Sequence, residues 1–187
     1  MDLSVELFEG VMEWLHKNYN TFTFYTERDI VWIMQTSIAK IIRKKNLPLR
    51  VFHDYGPLQT SRCKNYMDLV IVDKSDTVLV AAEFKYEPSH KRIDILPEKF
   101  PVVAWDKNGL RADVERVREY VAKGTAQVAY LVFIDEGGHF RKRNPIAGCE
   151  WIDWDPPEPD LKPVSVLRLK VEQQVNDHKA KKSPVTT

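Results

Sequence analysis

The stretch that decides the fold runs from Tyr66 to Lys85 and reads YMDLVIVDKSDTVLVAAEFK. Two apolar runs rich in β-branched side chains flank the turn-forming residues Lys74–Thr77, and this pattern predicts a β-hairpin. If the turn is symmetric, Asp68 on the first strand lies directly opposite Glu83 on the second. Both carboxylates then share one face of the hairpin.

A third charged side chain joins these two carboxylates. Lys85 stands two residues beyond Glu83 and therefore on the same face, because side chains alternate along a strand. The other residues of the two runs are apolar on both faces, which is typical of a central strand pair that is covered on both sides. We therefore expect Asp68, Glu83 and Lys85 to converge.

Two opposed carboxylates need a positive charge between them. Opposed Cβ atoms lie about 5 Å apart, where two carboxylates repel by roughly 3 kcal/mol at an effective dielectric near ~20. The Lys85 ammonium offsets part of this repulsion, and a divalent cation such as Mg²⁺, which is held by one or two carboxylates, does so more completely. The alternative is a strand end at which the three groups reach solvent and pair weakly. The apolar flanking residues favour the functional interpretation.

Length and composition predict one domain over residues 1–175, because 187 residues of which 43% are hydrophobic can bury one substantial core. The two cysteines show neither metal-ligand spacing nor a disulfide framework, so they are expected to be reduced thiols of an intracellular protein. The N-terminus lacks the pattern of a signal peptide, and no apolar run approaches membrane-spanning length. We therefore expect a cytoplasmic protein without a membrane partner.

Charge does not by itself indicate nucleic-acid binding, since 28 basic residues against 27 acidic residues leave a net charge of +1. Local basic clusters are candidates for phosphate contact, although most such clusters are solvated faces. They comprise His90, Lys91 and Arg92 in a proline-rich excursion over residues 88–109, and Arg141, Lys142 and Arg143 after a later strand. Glu87 is a candidate outer ligand if the second hairpin strand reaches it.

Apolar periodicity predicts three helices. The first spans residues 3–18, and the second begins at a capping box formed by Thr26 and Asp29. The third carries the apolar stripe of Leu110 and three valines, with Asp113 as its N-cap and Arg116 on a polar face. Glu27, in the first turn of the second helix, is interpreted either as a helix-dipole charge or as part of the site.

The remaining patterns predict strands and a tail. A first strand at 49–55 ends in His53 and Asp54, which are interpreted as a local hydrogen-bonding pair outside the site. Residues 127–134 form a continuous apolar run, which predicts a buried strand reached from the hairpin by a parallel crossover. Residues 164–171 are expected to form an edge strand, and residues 176–187 a disordered tail. The acidic, proline-rich segment after Glu150 is interpreted as a surface lid or as packing of two indoles.

This order of elements resembles the PD-(D/E)xK nuclease superfamily over residues 26–135. The resemblance rests on the acidic helix start, the strand at 49–55, Asp68 opening the next strand and the Glu83-Phe84-Lys85 triplet closing its partner. Met67 replaces the family's proline. The resemblance implies an α/β fold of the restriction-endonuclease-like type, in which a mixed β-sheet carries helices on both faces.

The resemblance also implies roles for the site residues. Asp68 and Glu83 would be metal ligands together with the carbonyl of Phe84, Lys85 would orient or polarise the attacking water, and Glu27 would anchor the site from its helix. The implied cofactor is Mg²⁺, with Mn²⁺ as the alternative. The implied function is an endonuclease that hydrolyses phosphodiester bonds of nucleic acid, with DNA favoured over RNA as the substrate.

Two alternatives stay open at this point. One is a catalytically silent module of the same fold that binds nucleic acid or protein through the basic clusters. The other is a small-molecule-binding α/β domain in which the carboxylates and Lys85 pair structurally. A homodimer is the alternative to a monomer, because cleavage of both strands is easier for two copies.

Overall fold

Three α-helices form within the described residues, at the positions that the apolar periodicity predicts. In the computed structural model, which describes residues 2–56, 66–89, 101–154 and 164–173, α1 spans Leu3–Asn18 and α2 spans Glu27–Lys45. A short 3-10 helix, Tyr19–Thr21, follows α1, and α3 spans Leu110–Ala122. The predicted tail at 176–187 and the basic residues His90, Lys91 and Arg92 lie outside the described residues.

The start of α2 is fixed by the predicted capping box. The Asp29 carboxylate accepts a hydrogen bond of 2.7 Å from the Thr26 amide, and the Thr26 side chain accepts a hydrogen bond from the Asp29 amide. The start of α3 differs from the prediction, because Gly109 is its N-cap and Asp113 lies inside the first turn, buried. The chain enters α3 so tightly that a Cβ at Gly109 would lie 2.0 Å from the Ala104 carbonyl oxygen.

Six strands form one mixed sheet within the described residues. They are β1 Arg50–Tyr55, β2 Met67–Val72, β3 Val78–Glu87, β4 Val128–Asp135, β5 Glu150–Trp154 and β6 Val164–Glu172. Their order in the sheet is β1-β2-β3-β4-β6-β5. The pairs β1–β2, β2–β3, β4–β6 and β5–β6 are antiparallel, and β3–β4 is parallel.

The β2–β3 hairpin has the predicted register through most of its length. Leu69 pairs with Ala82 and Ile71 pairs with Val80, so Asp68 continues the ladder towards Glu83. The turn is less symmetric than predicted, because a bulge pairs Val72 with Val78. The Asp73 carboxylate closes this turn by accepting hydrogen bonds from two turn amides.

The C-terminal part of the sheet differs from the prediction. β6 lies between β4 and β5, so it is not an edge strand, and the edge is formed by β5. The segment interpreted as a lid or as indole packing thus begins as a strand, and its Trp154 is buried against α1 through stacking on His16.

Helices cover both faces of the sheet, which confirms the predicted α/β class. One core lies between the sheet and the α1–α2 pair, and a second lies between the sheet and α3. The hairpin contributes to both cores, because Leu69 and Phe84 face α1 and α2, whereas Val70 and Ala81 face the α3 side. Among the described residues, no helix has the length and apolarity needed to cross a membrane.

Candidate active site

The three polar hairpin residues come together between the first turns of two helices. Asp68 is the second residue of β2, and its Oδ2 atom accepts a hydrogen bond of 2.7 Å from the Phe84 amide on β3. This contact ties the carboxylate to the backbone of the Glu83-Phe84-Lys85 triplet. Burial raises the pKa of Asp68, against the effects of the Phe84 amide and the Lys85 charge, which lower it.

Glu83 is the most deeply buried charged group of the site, with a side chain that is 1% exposed. Its Oε1 atom accepts a hydrogen bond of 2.6 Å from the Tyr120 hydroxyl, and its Oε2 atom accepts one of 2.9 Å from Arg116. Burial and the neighbouring Asp68 charge nevertheless raise the pKa of Glu83 to about 8. Glu83 therefore holds its proton to a higher pH than an ordinary glutamate does.

Lys85 bridges the two helices that flank the hairpin. Its Nζ atom donates hydrogen bonds to Glu27 Oε2 at 3.0 Å and to the carbonyl oxygen of Phe84 at 2.8 Å, and it lies 3.8 Å from Asp113 Oδ2. Burial acts to lower the pKa of Lys85, but the surrounding carboxylates outweigh it and the pKa is raised. The side chain is consequently a fixed ammonium group.

Glu27 reaches the site from the first position of α2. Burial raises the pKa of Glu27, although the Lys85 charge opposes the shift. The structure thus brings together Glu27, Asp68, Glu83 and Lys85, all four side chains that the sequence placed at the site. Glu27 lies at the start of α2, where its charge suits the helix dipole, and it also contacts Lys85 in the site. Its two interpretations therefore do not exclude each other.

Three further side chains were missed because they come from α3. Asp113, Arg116 and Tyr120 repeat at intervals of three and four residues, so they form one stripe along the helix. Arg116 joins Glu83 to Asp113, whose Oδ1 atom lies 2.7 Å from the guanidinium, and it is not on a solvated face as predicted. The available signal was that Asp113 and Tyr120 interrupt the apolar stripe instead of lying opposite it.

The first turns of α2 and α3 each contribute a carboxylate to this cluster. Glu27 is the first residue of α2, and Asp113 lies in the first turn of α3. The free amide groups and the dipole of a helix N-terminus favour negative charge, including phosphate. The environment therefore suits anionic side chains and an anionic ligand.

The residues of the site match a hard cation by ligand type. Asp68, Glu83 and the carbonyl of Phe84 supply oxygen atoms, as Mg²⁺ and Mn²⁺ require. The buried Asp113 Oδ2 atom accepts no hydrogen bond from any described residue. In the described part of the chain, however, no three acidic, histidine or cysteine side chains are arranged to hold a metal ion. Cation binding would thus require Glu83 to exchange at least one of its two present partners.

Other predicted site residues have separate roles. Glu87 is buried and accepts a hydrogen bond of 2.8 Å from the Val103 amide, which anchors the segment leading into α3. Arg141 makes a double hydrogen bond to Asp153 at 2.8 and 2.9 Å, and Arg143 lies over the rings of two aromatic residues. Lys142 is exposed. The contacts of this basic cluster are therefore with β5 and an aromatic group.

Two cavities in the described part of the chain have Glu27 in their walls. The larger, about 470 Å³, has Glu27 and Lys85 in its wall together with Tyr25. The smaller, about 270 Å³, has Glu27 and Asp68 in its wall. His53 and Asp54 also line the smaller cavity, although the sequence interpretation left them outside the site. Their backbone lies on β1, whose end reaches the site only because β1 pairs with β2.

Comparisons with known proteins found no match to the chain. No family model matches it, and neither a curated protein nor a solved structure matches it.

Proposed function

We propose that this protein is a metal-dependent nuclease that hydrolyses phosphodiester bonds of nucleic acid, with DNA as the expected substrate. The observation that carries the proposal is the convergence of Asp68, Glu83 and Lys85 on the end of one hairpin, with Lys85 held by Glu27 at 3.0 Å. An ammonium fixed beside paired carboxylates is what phosphoryl transfer needs, since charge develops on the phosphoryl oxygens.

A Mg²⁺ or Mn²⁺ ion bound by Asp68, Glu83 and the Phe84 carbonyl would supply Lewis acidity and an acidified water. The protein's own residues then account for positioning. Lys85, whose pKa is raised, stays protonated and stabilises the negative charge of the phosphorane-like transition state. Glu27 orients that ammonium, and the amide ends of α2 and α3 favour the incoming phosphate.

Arg116 adds a second cation to the reaction site. Its guanidinium contacts both Glu83 and Asp113 at 2.9 and 2.7 Å. If Glu83 held a cation instead of Arg116, the guanidinium Nη1 atom that now contacts Glu83 would be available to a phosphate, while Nη2 would stay paired with Asp113. The proposal includes a fold of the restriction-endonuclease-like type. It also includes a homodimer, in which each copy would cleave one strand of a duplex.

A second candidate function is a catalytically silent binding module of the same fold. The observation that favours it is the present pairing of Glu83, whose two oxygens are both occupied by Tyr120 and Arg116. A site that is closed by its own hydrogen bonds has lower affinity for a metal ion. In that case the exposed basic residues would bind the partner, which is a nucleic acid or a protein.

The test is a cleavage assay in Mg²⁺ or Mn²⁺ on supercoiled plasmid, linear duplex, single strand, branched DNA and RNA. Wild type is compared with Asp68→Ala and with Glu119→Ala, which removes an exposed carboxylate that pairs with Lys123 on the outer side of α3. The nuclease proposal requires metal-dependent cleavage that Asp68→Ala abolishes and Glu119→Ala retains.

Titration calorimetry separates the two candidate functions. Metal binding that depends on Asp68, without cleavage of any substrate, supports the silent module. Unchanged metal affinity in Asp68→Ala would show that Asp68 is not a ligand.

A further inference from the structure

Trp32 is an exposed aromatic residue in the wall of the candidate site. It lies on α2, it is 63% exposed, and it lines the cavity of about 270 Å³ that also contains Glu27 and Asp68. The four other tryptophans of the chain all pack against an aromatic ring; they are Trp14, Trp105, Trp151 and Trp154. Single exposed tryptophans are common, but this indole borders the acidic residues of the site.

A second exposed ring lines the other cavity that has Glu27 in its wall. Tyr25 is 56% exposed and lines the cavity of about 470 Å³ together with Glu27 and Lys85. Its backbone amide donates a hydrogen bond of 2.7 Å to the Asp29 carboxylate, so the capping box of α2 holds this residue in place. Each of the two cavities that share Glu27 is therefore bordered by a large exposed aromatic side chain, Tyr25 in one and Trp32 in the other.

Cationic and hydrogen-bonding side chains surround Trp32. Arg28 precedes it by one helical turn on the same face of α2 and is 85% exposed. Gln35 follows on that face and holds the His53 imidazole through a contact of 2.7 Å between Oε1 and Nδ1. An exposed guanidinium beside an exposed indole is a combination that binds the phosphate and the base of one nucleotide.

We infer that Trp32 and Tyr25 are stacking platforms for unpaired bases on the two sides of the cleaved phosphate, so that the substrate is single-stranded or locally unpaired nucleic acid. The inference rests on the proposed function. A base within a duplex hides both of its flat faces in the stack, so it must leave the helix to enter a cavity. Every base has such a face, and stacking therefore predicts little sequence preference.

The expected effect follows from the strength of base stacking. Alanine substitution of a stacking residue costs about 1–3 kcal/mol per base, which is a loss of roughly 5- to 150-fold in affinity. Trp32→Leu and Tyr25→Leu should each weaken binding of a single strand within this range. Trp14→Leu, which removes an exposed tryptophan on α1, should leave the affinity unchanged.

The experiment measures fluorescence anisotropy of a labelled oligothymidylate of ~15 nucleotides, within the usual range of single-strand sites, and of a hairpin duplex. EDTA prevents cleavage, and thermal melting verifies that each variant is folded. Tighter binding of the oligothymidylate, lost in Trp32→Leu and Tyr25→Leu but not in Trp14→Leu, supports the inference. Equal or tighter binding of the duplex, wild-type affinity in both variants, or no binding of either probe overturns it.

Cleavage with Mg²⁺ or Mn²⁺ distinguishes this inference from the proposed function. Duplex cleavage by wild type that is unchanged in Trp32→Leu and Tyr25→Leu overturns the stacking inference and leaves the nuclease proposal intact. Single-strand binding that depends on both rings, without any cleavage, contradicts the nuclease proposal and supports the stacking platforms.

Discussion

Arg116 on α3 donates a hydrogen bond of 2.9 Å to Glu83 on β3, whose side chain is 1% exposed. The same guanidinium lies 2.7 Å from Asp113, one turn earlier on α3. The cation thus joins a helix to the central strand at the point where the candidate ligands lie. The polar contacts of the site thus add to the apolar core that holds α3 on the sheet, so stability and metal binding should be coupled.

Removal of this cation should be costly in the metal-free protein. Arg116→Met leaves Glu83 and Asp113 buried without a positive partner, and we expect a loss of about 2 kcal/mol in the free energy of unfolding. This is less than the ~3–5 kcal/mol of a fully buried pair, because the Arg116 side chain is 31% exposed. Urea denaturation in EDTA at about pH 9, where Glu83 is ionised, measures the change.

The control for Arg116→Met is Lys123→Met on the same helix. Lys123 forms an exposed pair with Glu119, so its replacement should cost less than about 1 kcal/mol. Combining Arg116→Met with Glu83→Gln should recover part of the loss, because the neutral amide no longer needs a cation. Additive effects of the two substitutions would contradict direct coupling between the side chains.

Glu83 should make the stability of the metal-free protein depend on pH. Its pKa is raised to about 8 in the folded state, whereas an unfolded glutamate titrates near ~4.3. Between these values the folded state holds a proton that the unfolded state lacks, so stability falls as the pH rises through this window and levels off above about 8. Urea midpoints in EDTA from about pH 5 to about pH 9 test this.

The variant Glu83→Gln identifies the titrating group. It retains the shape of the side chain but cannot titrate, so its stability should decline less between about pH 5 and about pH 8. The raised pKa values of Glu27 and Asp68 act in the same direction, and some decline should therefore remain. Identical pH profiles of Glu83→Gln and wild type would mean that Glu83 is already ionised in the folded protein.

Metal binding should release the proton of Glu83. A metal ion binds the ionised carboxylate, so the affinity for Mg²⁺ should rise by up to about tenfold per pH unit below about 8 and flatten above it. Calorimetry in two buffers of different ionisation enthalpy counts the released protons. Proton release at about pH 7 that is absent in Glu83→Gln supports the assignment, and equal release by both proteins contradicts it.

The hairpin part of the site was predictable because its determinants are local. Alternating apolar residues fix which side chains share a face, and the turn fixes which residues are opposed. Leu69 consequently pairs with Ala82 as expected, and Asp68 reaches the backbone of Phe84. The bulge at Val72 escaped prediction, but it lies at the turn and leaves the pairing at the site unchanged.

The contribution of α3 could not be assigned in the same way. Periodicity places Asp113, Arg116 and Tyr120 on one stripe, but only packing of α3 on the sheet decides that this stripe faces Glu83. The same limit applies to strand order. The alternation in 164–171 predicts a strand correctly, whereas the insertion of β6 between β4 and β5 depends on contacts distant in sequence.

Lys85 gives the sharpest distinction between a catalytic cluster and a structural one. Lys85→Met removes the ammonium from Glu27, Asp113 and the Phe84 carbonyl. We expect a loss of about 2 kcal/mol in the free energy of unfolding, below the ~3–5 kcal/mol of a fully buried pair, because the side chain is 24% exposed. Urea denaturation measures this loss beside Lys123→Met as the matched control.

Catalysis and metal binding should respond differently to Lys85→Met. If Lys85 acts on the phosphoryl group, cleavage falls by at least about 100-fold, while Mg²⁺ still raises the melting temperature because Asp68 and Glu83 remain. Binding of an ion to the folded state alone stabilises it according to concentration and affinity, so a Mg²⁺ series in thermal melting reports the affinity directly. The opposite result has two parts: Lys85→Met is destabilised, and Mg²⁺ does not change the melting temperature of the wild type. Together they would identify Lys85 as the structural partner of the carboxylates.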